Sequence, residues 1–451
     1  MPRLESVRID AVVVLFAFAV ALLAAALAGI APAFFATRLD LVSQLRGGRQ
    51  LDGGARTRHG RRALVVTQVA LAVTIVAAAG LLTRSLGRLR GLDMGLAADR
   101  LVFVDLALVG TEHAEGKGHL QLLDDVVERL EAAPGIESVT PVNTLPFAGT
   151  GGWDLAVFTA EGQSPDRAGG NPSLNLESVY PKYFATFQVP IVRGRVFAED
   201  DRAGTPEVAI VSADLAARTW PGEDPIGKRL KFGSPDSKDA WRTVVGVVKP
   251  TRYRELAAPR PTLYVPAPQF IESAHLLVLR TTLPVSLVAG ISRSRVRAVD
   301  ADVQVTRVAP FAELLEGPLA RPRFNAFLIG VFAMTGLLLA AIGVYAVQAA
   351  YVRQRSTEIG IRIACGATAW HIRRLVLGEG LRLAGLGVAI GLGGAFAAGR
   401  VVRALLFDIH PLDPPSMLGA VLLLVSASAL ACYLPARRAT RVDPVAVLGT
   451  N

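Results

Sequence analysis

Charge disappears from this chain in five long stretches. Residues 11–35, 63–83, 324–352 and 414–436 hold no charged side chain at 25, 21, 29 and 23 consecutive positions. Residues 383–399 hold none at 17 positions, and that run lengthens if Arg382 and Arg400 reach back toward the headgroups. A helix needs ~20 apolar residues to cross the hydrocarbon of a bilayer. The pattern therefore predicts about five transmembrane helices. Residues 11–35 exceed the apolar core of a secretion signal, which runs ~7–15 residues.

Residues 91–322 alternate differently and predict a folded α+β domain. The β-branched, apolar segment 101–108 (LVFVDLAL) predicts a strand. Over 118–133, Leu120, Leu123, Val126, Val127 and Leu130 share one helical face, and Pro134-Gly135 stops that helix. Further strands are predicted at 136–142, 155–158, 207–211, 242–248, 276–280 and 303–308. Helices are predicted at 213–220, which Ser212 could cap, and at 285–299. Strands interleaved with helices over this length form one or two compact subdomains.

Charge then orients the spans. The net charge of the 451 residues is +10, but residues 91–322 carry 24 basic and 29 acidic groups. The remainder carries 24 basic and 9 acidic groups, and all of those 24 are arginine. Segment 37–62 has seven, segment 353–374 has five, and the tail has Arg437, Arg438 and Arg441, whereas 401–413 has only Arg403. By the positive-inside rule the arginine-rich segments face the cytoplasm. The N-terminus and residues 91–322 then lie outside, and the C-terminus lies inside. The basic excess sits beside apolar runs and no nucleic-acid reader motif accompanies it, so nucleic acid is not an expected partner.

Catalytic signatures are absent from the sequence. It contains no GxSxG, no HExxH, no EF-hand loop and no GxxxxGK[ST] phosphate loop. His113 and His119, beside Glu112 and Glu115, read as surface polarity ahead of a helix rather than as a metal site. Cys365 and Cys432 both lie outside 91–322, so no disulfide staples that domain. No catalytic, cofactor-binding or metal-binding residue is expected.

Three features carry more information. The first is RQRSTEIGIRIACGATAWHIRRLVLGEGLRL, 353–383, between two spans. Ser356 or Thr357 could cap a short helix starting near Glu358, and Gly366 ends it. The chemistry fits an amphipathic helix lying on lipid headgroups and equally a docking element for a cytoplasmic partner. The second is a small-residue stripe, Gly387, Gly391, Ala395 and Gly399, which permits close helix packing. Glu379, near the inner boundary, calls for an arginine partner. The third is a repeated phrase. PAFFATRLDLVSQL at 32–45 and PARRATRVDPVAVL at 435–448 agree at eight of fourteen positions.

The string STEIGIRIACGATAWHIRRLVLGEG resembles the inner loop of ABC-transporter permeases of the MacB/FtsX-like superfamily. Arg355, Glu358, Ile359, Gly360, Ile361, Arg362, Ala364, Gly366, Ala367 and Ile372 stand where that pattern has R-x-x-E-I-G-I-R-x-A-x-G-A-x-x-x-x-I. Segments 183–201, 208–230, 243–248 and 405–416 resemble the same family, so the likeness covers essentially the whole chain.

The resemblance implies a four-span unit, with 57–90 as its first span and 91–322 as an extracytoplasmic core domain. Residues 323–451 would be the permease domain with three spans. Residues 1–56 resemble the last span and tail of a preceding, mostly missing unit of a duplicated permease.

In function, the resemblance implies a permease subunit in a bacterial inner membrane. It would bind no cofactor itself and would be driven by ATP hydrolysis in a separate cytoplasmic subunit. A second permease unit would complete the assembly. Arg355, Glu358, Ile359, Gly360, Ile361, Arg362 and Gly366 would contact the ATPase, and movement of the outer domain would export or extract a substrate. Two alternatives are an FtsX-like regulator that activates an extracytoplasmic partner and a non-functional truncated permease.

Overall fold

The computed structural model describes residues 53–108, 117–147, 153–270, 274–401 and 412–440, with isolated positions between 11 and 22 and between 403 and 410. The chain divides into two compact units: Met1–Arg88 with Arg321–Asn451, and Leu89–Ala320.

The first unit is a helical bundle. Among the described residues, four helices are long and apolar enough to cross a membrane: His59–Arg90, Phe311–Gln354, Ala369–Val401 and Pro414–Ala439. The run at 11–35 lies mostly outside the described residues, the first copy of the repeated phrase lies wholly outside them, and so does most of the second. The observed helices outrun the uncharged stretches. Helix Phe311–Gln354 starts thirteen residues before the run at 324. Lack of charge marks what lipid can surround, whereas backbone hydrogen bonding sets where the helix ends.

The bundle core joins Val65, Val69, Ala72 and Val73 of α1 (Gly53–Arg90) to Ala340 and Val344 of the second span. Val388 of the third span and Leu424 and Cys432 of the fourth complete it. The fourth helix continues through Pro435, the first residue of the repeated phrase, to Ala439.

The second unit has two sheets. One has four antiparallel strands: β1 (Leu101–Ala107), β2 (Ile136–Val142), β11 (Leu276–Thr281) and β12 (Gln304–Pro310), in spatial order β12-β1-β11-β2. Helix α2 (Lys117–Glu131) links β1 to β2, and α6 (Val285–Val299) links β11 to β12. This is a split βαβ arrangement whose third strand lies far along the chain from its second. Leu122, Leu123, Val126 and Leu130 of α2 and Val288 and Val296 of α6 cover one face, against Val102, Val104, Leu277 and Leu279. The alternate residues Leu101, Phe103, Leu276 and Val278 enter a second core on the other face, with Tyr183, Phe184 and Phe187. Successive strand side chains point to opposite faces, so covering both faces needs the continuously apolar strands seen here.

Everything between β2 and β11 is an insertion, built on the second sheet. Its strands are β3 (Trp153–Leu155), β4 (Phe158–Ala160), β5 (Leu174–Val179), β6 (Ile191–Gly194), β7 (Val208–Ser212), β8 (Arg229–Phe232), β9 (Arg242–Val248) and β10 (Thr262–Pro266). Short helices α3 (Pro165–Gly169), α4 (Tyr183–Phe187) and α5 (Ala213–Thr219) connect them. The order is β3-β5-β10-β7-β9-β8-β4, with β6 added on β9. The two end strands, β3 and β4, are consecutive in sequence with only Ala156 and Val157 between them. The sheet therefore rolls until its ends are joined, around Phe158, Leu174, Val211, Leu230, Val244 and Leu263.

Four local expectations change. The single strand expected at 155–158 is the link between β3 and β4, because each edge needs its own partner, β5 for one and β8 for the other. Ser212 does not cap α5; its hydroxyl instead accepts the Thr262 amide at 2.9 Å, tying β7 to the start of β10. His119 is buried within α2 rather than lying on the surface, and His113 lies outside the described residues. The acidic triplet Glu199-Asp200-Asp201, which by sequence alone reads as a solvated turn, is not wholly solvated: Asp201 is buried and holds Arg195.

Candidate functional site

The link between the second and third spans is a short helix, α8 (Ser356–Ala364). It begins two residues earlier than the sequence suggests, and no side chain caps it; the Ser356 hydroxyl donates back to the Arg353 carbonyl at 3.0 Å. Its end is a Schellman motif. The Ala367 amide reaches the Arg362 carbonyl and the Gly366 amide reaches the Ile363 carbonyl, both at 2.9 Å. Gly366 sits at φ +90°, a conformation that disfavours a side chain.

The expected coupling residues divide between two faces of α8. Ile359 is 1% exposed and packs with Val352, Ile372, Val376, Ala436 and Ala439, and Gly360 is buried beside it. These contacts come from all three neighbouring spans, so α8 is fastened to the bundle. Ile361 is 48% exposed and points away from that core. Arg362 is exposed and Glu358 half-buried, and the two pair across one turn at 2.7 Å. Arg355 donates to the Tyr351 hydroxyl at 2.8 Å and its guanidinium lies 4.8 Å from the centre of that ring. Trp370, at the start of the next helix, is 65% exposed. The result is a fixed helix with a free face of one isoleucine and one charge pair.

The small-residue stripe lies against the first span. Gly387, Gly391, Ala395 and Gly399 are all buried. A Cβ at Gly387 would lie 2.7 Å from Val69, and one at Gly391 would lie 2.6 Å from the Ala70 carbonyl oxygen. The Thr74 hydroxyl bridges the same two helices, 3.1 Å from the Gly391 carbonyl. In lipid there is no water to expel from between helices, so such close backbone approach supplies the packing. The sequence reading stopped the stripe too soon. Gly380 and Ala384 continue it, and a Cβ at Gly380 would collide with Cys432 and Gln348. Extending the three-and-four spacing backwards would have found them.

Ion pairs hold both ends of α1. Arg62 donates to Glu379 on the third span at 2.5 Å. Twenty-two residues on, about 33 Å along the helix, Arg84 donates to Asp413 at 2.6 Å. Asp413 also caps the fourth span, accepting from the Ser416 amide at 3.1 Å and hydroxyl at 2.7 Å. Burial alone would raise the Asp413 carboxyl, but the Ser416 hydrogen bonds and the Arg84 charge together hold it below the ordinary value. The spacing matches a hydrocarbon core of ~30 Å. Each pair is partly exposed and contributes at most about 1 kcal/mol; the placement matters more, since the two pairs flank the uncharged run of the first span.

Comparison with known proteins bears on these elements together. The MacB-like periplasmic core domain family matches residues 63–304, and the FtsX-like permease C-terminal family matches residues 330–444. The chain belongs to the MacB/FtsX-like permease superfamily.

Among curated members, the macrolide export ATP-binding/permease protein MacB of Rhodospirillum rubrum is 27% identical over 388 residues, covering 78% of this chain and 57% of that protein. The pyoverdine export ATP-binding/permease protein PvdT of Pseudomonas entomophila is 26% identical over 383 residues, covering 79% and 54%. The chain spans about half the length of the curated relatives it matches. The solved periplasmic region of MacB from Actinobacillus actinomycetemcomitans aligns with a TM-score of 0.33 at 15% identity, covering 49% of this chain and 94% of that one. As a permease of this superfamily, the chain is a multi-pass membrane protein with a large α+β domain between its first two described spans.

Proposed function

We propose that this permease couples ATP hydrolysis in a separate cytoplasmic subunit to movement of its α+β domain, for export or extraction of a substrate. The observation that carries the reading is α8. One face, through Ile359, is locked to three spans, while the other offers Ile361 and the Glu358–Arg362 pair to a partner. A helix so fastened passes a push to the bundle instead of absorbing it.

The relatives' names, export ATP-binding/permease proteins, support a partner of the ATP-binding kind. On this reading the arginine-rich segments and α8 face the cytoplasm, and the α+β domain lies outside. Two permease units meet one ATPase assembly, since transporters of this class work as paired units.

Cysteine crosslinking to a co-expressed candidate ATPase tests the contact. Ile361→Cys in a Cys365→Ser background should crosslink, and Glu358→Lys should reduce the yield several-fold. Unchanged crosslinking after Glu358→Lys and Gly366→Pro would defeat the proposal.

A further inference from the structure

The α+β domain contains a cleft of about 630 Å³ between the α2–β2 edge of the split βαβ and the inserted rolled-sheet part. Its inner wall is apolar: Leu120 and Val127 of α2, Val139 and Pro141 of β2, with Tyr180 and Pro268 opposite. Its charged lining is acidic. Asp124, Glu128 and Glu131 stand on the same face of α2 as Leu120 and Val127, and Glu199 joins them from across the opening. The cations facing the cleft are Lys182 and Arg202.

Those charges are not equivalent. Glu131 is already used: one oxygen accepts the Val139 amide at 3.1 Å and the other accepts Lys182 at 2.5 Å. Those two charges cancel each other. Asp124, Glu128 and Glu199 remain, all exposed, against Arg202 alone. Partial desolvation, then the neighbouring Asp125 charge, raises Asp124 above the ordinary carboxylate value, so its charge is held at a cost that a cation would relieve. A preformed cavity of this size, mostly apolar with a few converging polar groups, has the anatomy of a small-molecule site.

We propose that this cleft binds an amphipathic organic cation, its apolar body against Val127, Val139 and Tyr180 and its positive group between Asp124, Glu128 and Glu199. The site is separate from α8, and binding there does not require the coupling reading to hold.

Equilibrium dialysis of the full chain in zwitterionic nanodiscs tests it, with empty discs subtracted. The probe is tetraphenylphosphonium, and tetraphenylborate provides the same shape with opposite charge. Saturable binding of the cation over the anion is expected. Replacing two rim charges, Asp124→Asn with Glu128→Gln, should weaken cation binding about tenfold, given Coulomb attraction at short range and intermediate dielectric. Val127→Trp should block it by filling the wall. Asp166→Asn, an exposed acid away from the cleft, should leave it unchanged. The rim variants are surface changes, so a preserved melting transition separates lost binding from lost fold. Equal binding of both ions, preference for the anion, no saturable binding above empty discs, or an unchanged affinity in the double variant would each overturn the proposal.

Discussion

Asp201 ends an acidic triplet, Glu199-Asp200-Asp201, that reads in sequence as a solvated turn. In the fold it accepts two hydrogen bonds from Arg195, at 2.6 and 2.9 Å, and one from the Ala198 amide at 2.8 Å. Burial would raise its carboxyl, but Arg195 and the amide together outweigh burial and lower it. A lowered carboxyl stabilises the fold at every pH above the unfolded value of about 3.9 and loses that contribution as pH falls through the folded value. Asp201→Asn should therefore cost about 2 kcal/mol at pH 7. The variant should also show a shallower loss of stability than wild type below pH ~4, measured by denaturation across a pH series. Equal acid slopes would mean that Arg195 does not favour the charged form.

At the scale of elements, packing of the third span on the first depends on missing side chains. Gly391 faces the Ala70 backbone and Val73, whereas Gly393, two residues on, meets nothing within 4 Å. Gly391→Leu should lower the melting temperature sharply, by a loss of about 3 kcal/mol or more, since the obstructing atoms are backbone and cannot turn aside. Gly393→Leu should stay within about 0.5 kcal/mol of wild type. The periodic glycines were legible from the sequence because a four-residue repeat is a local pattern. Gln68, near Gly343, and Thr74, on the Gly391 carbonyl, were not legible, because isolated polar residues in an apolar run have no period.

For the whole molecule, the four described spans and the proposed orientation make a simple accessibility statement. Gly170 is exposed in the α+β domain, Cys365 is exposed at the end of α8, and Cys432 is buried in the bundle. A membrane-impermeant maleimide should label Gly170→Cys in intact cells. It should reach native Cys365 only after the membrane is opened. Labelling of Cys365 in intact cells, or of position 170 only after opening, would reverse the orientation.

The uncharged runs, the amphipathic α2, the glycine stripe and the α8 string could all be read from the sequence. Each rests on residues a few positions apart, where the period of one element reports its own environment. Glu379 announced that it needed a cation, yet several arginines were equally available. Only the fold chose Arg62, 317 residues away. Likewise, nothing local told that β3 and β4, two residues apart, would close opposite ends of one sheet. The separation of β2 from β11 by a whole inserted subdomain was equally hidden. Strand pairing and ion pairing are matters of distance in space. Along the chain those partners lie too far apart to leave a pattern, so the rolled sheet, the clamps on the first span and the acidic cleft were decided by tertiary structure alone.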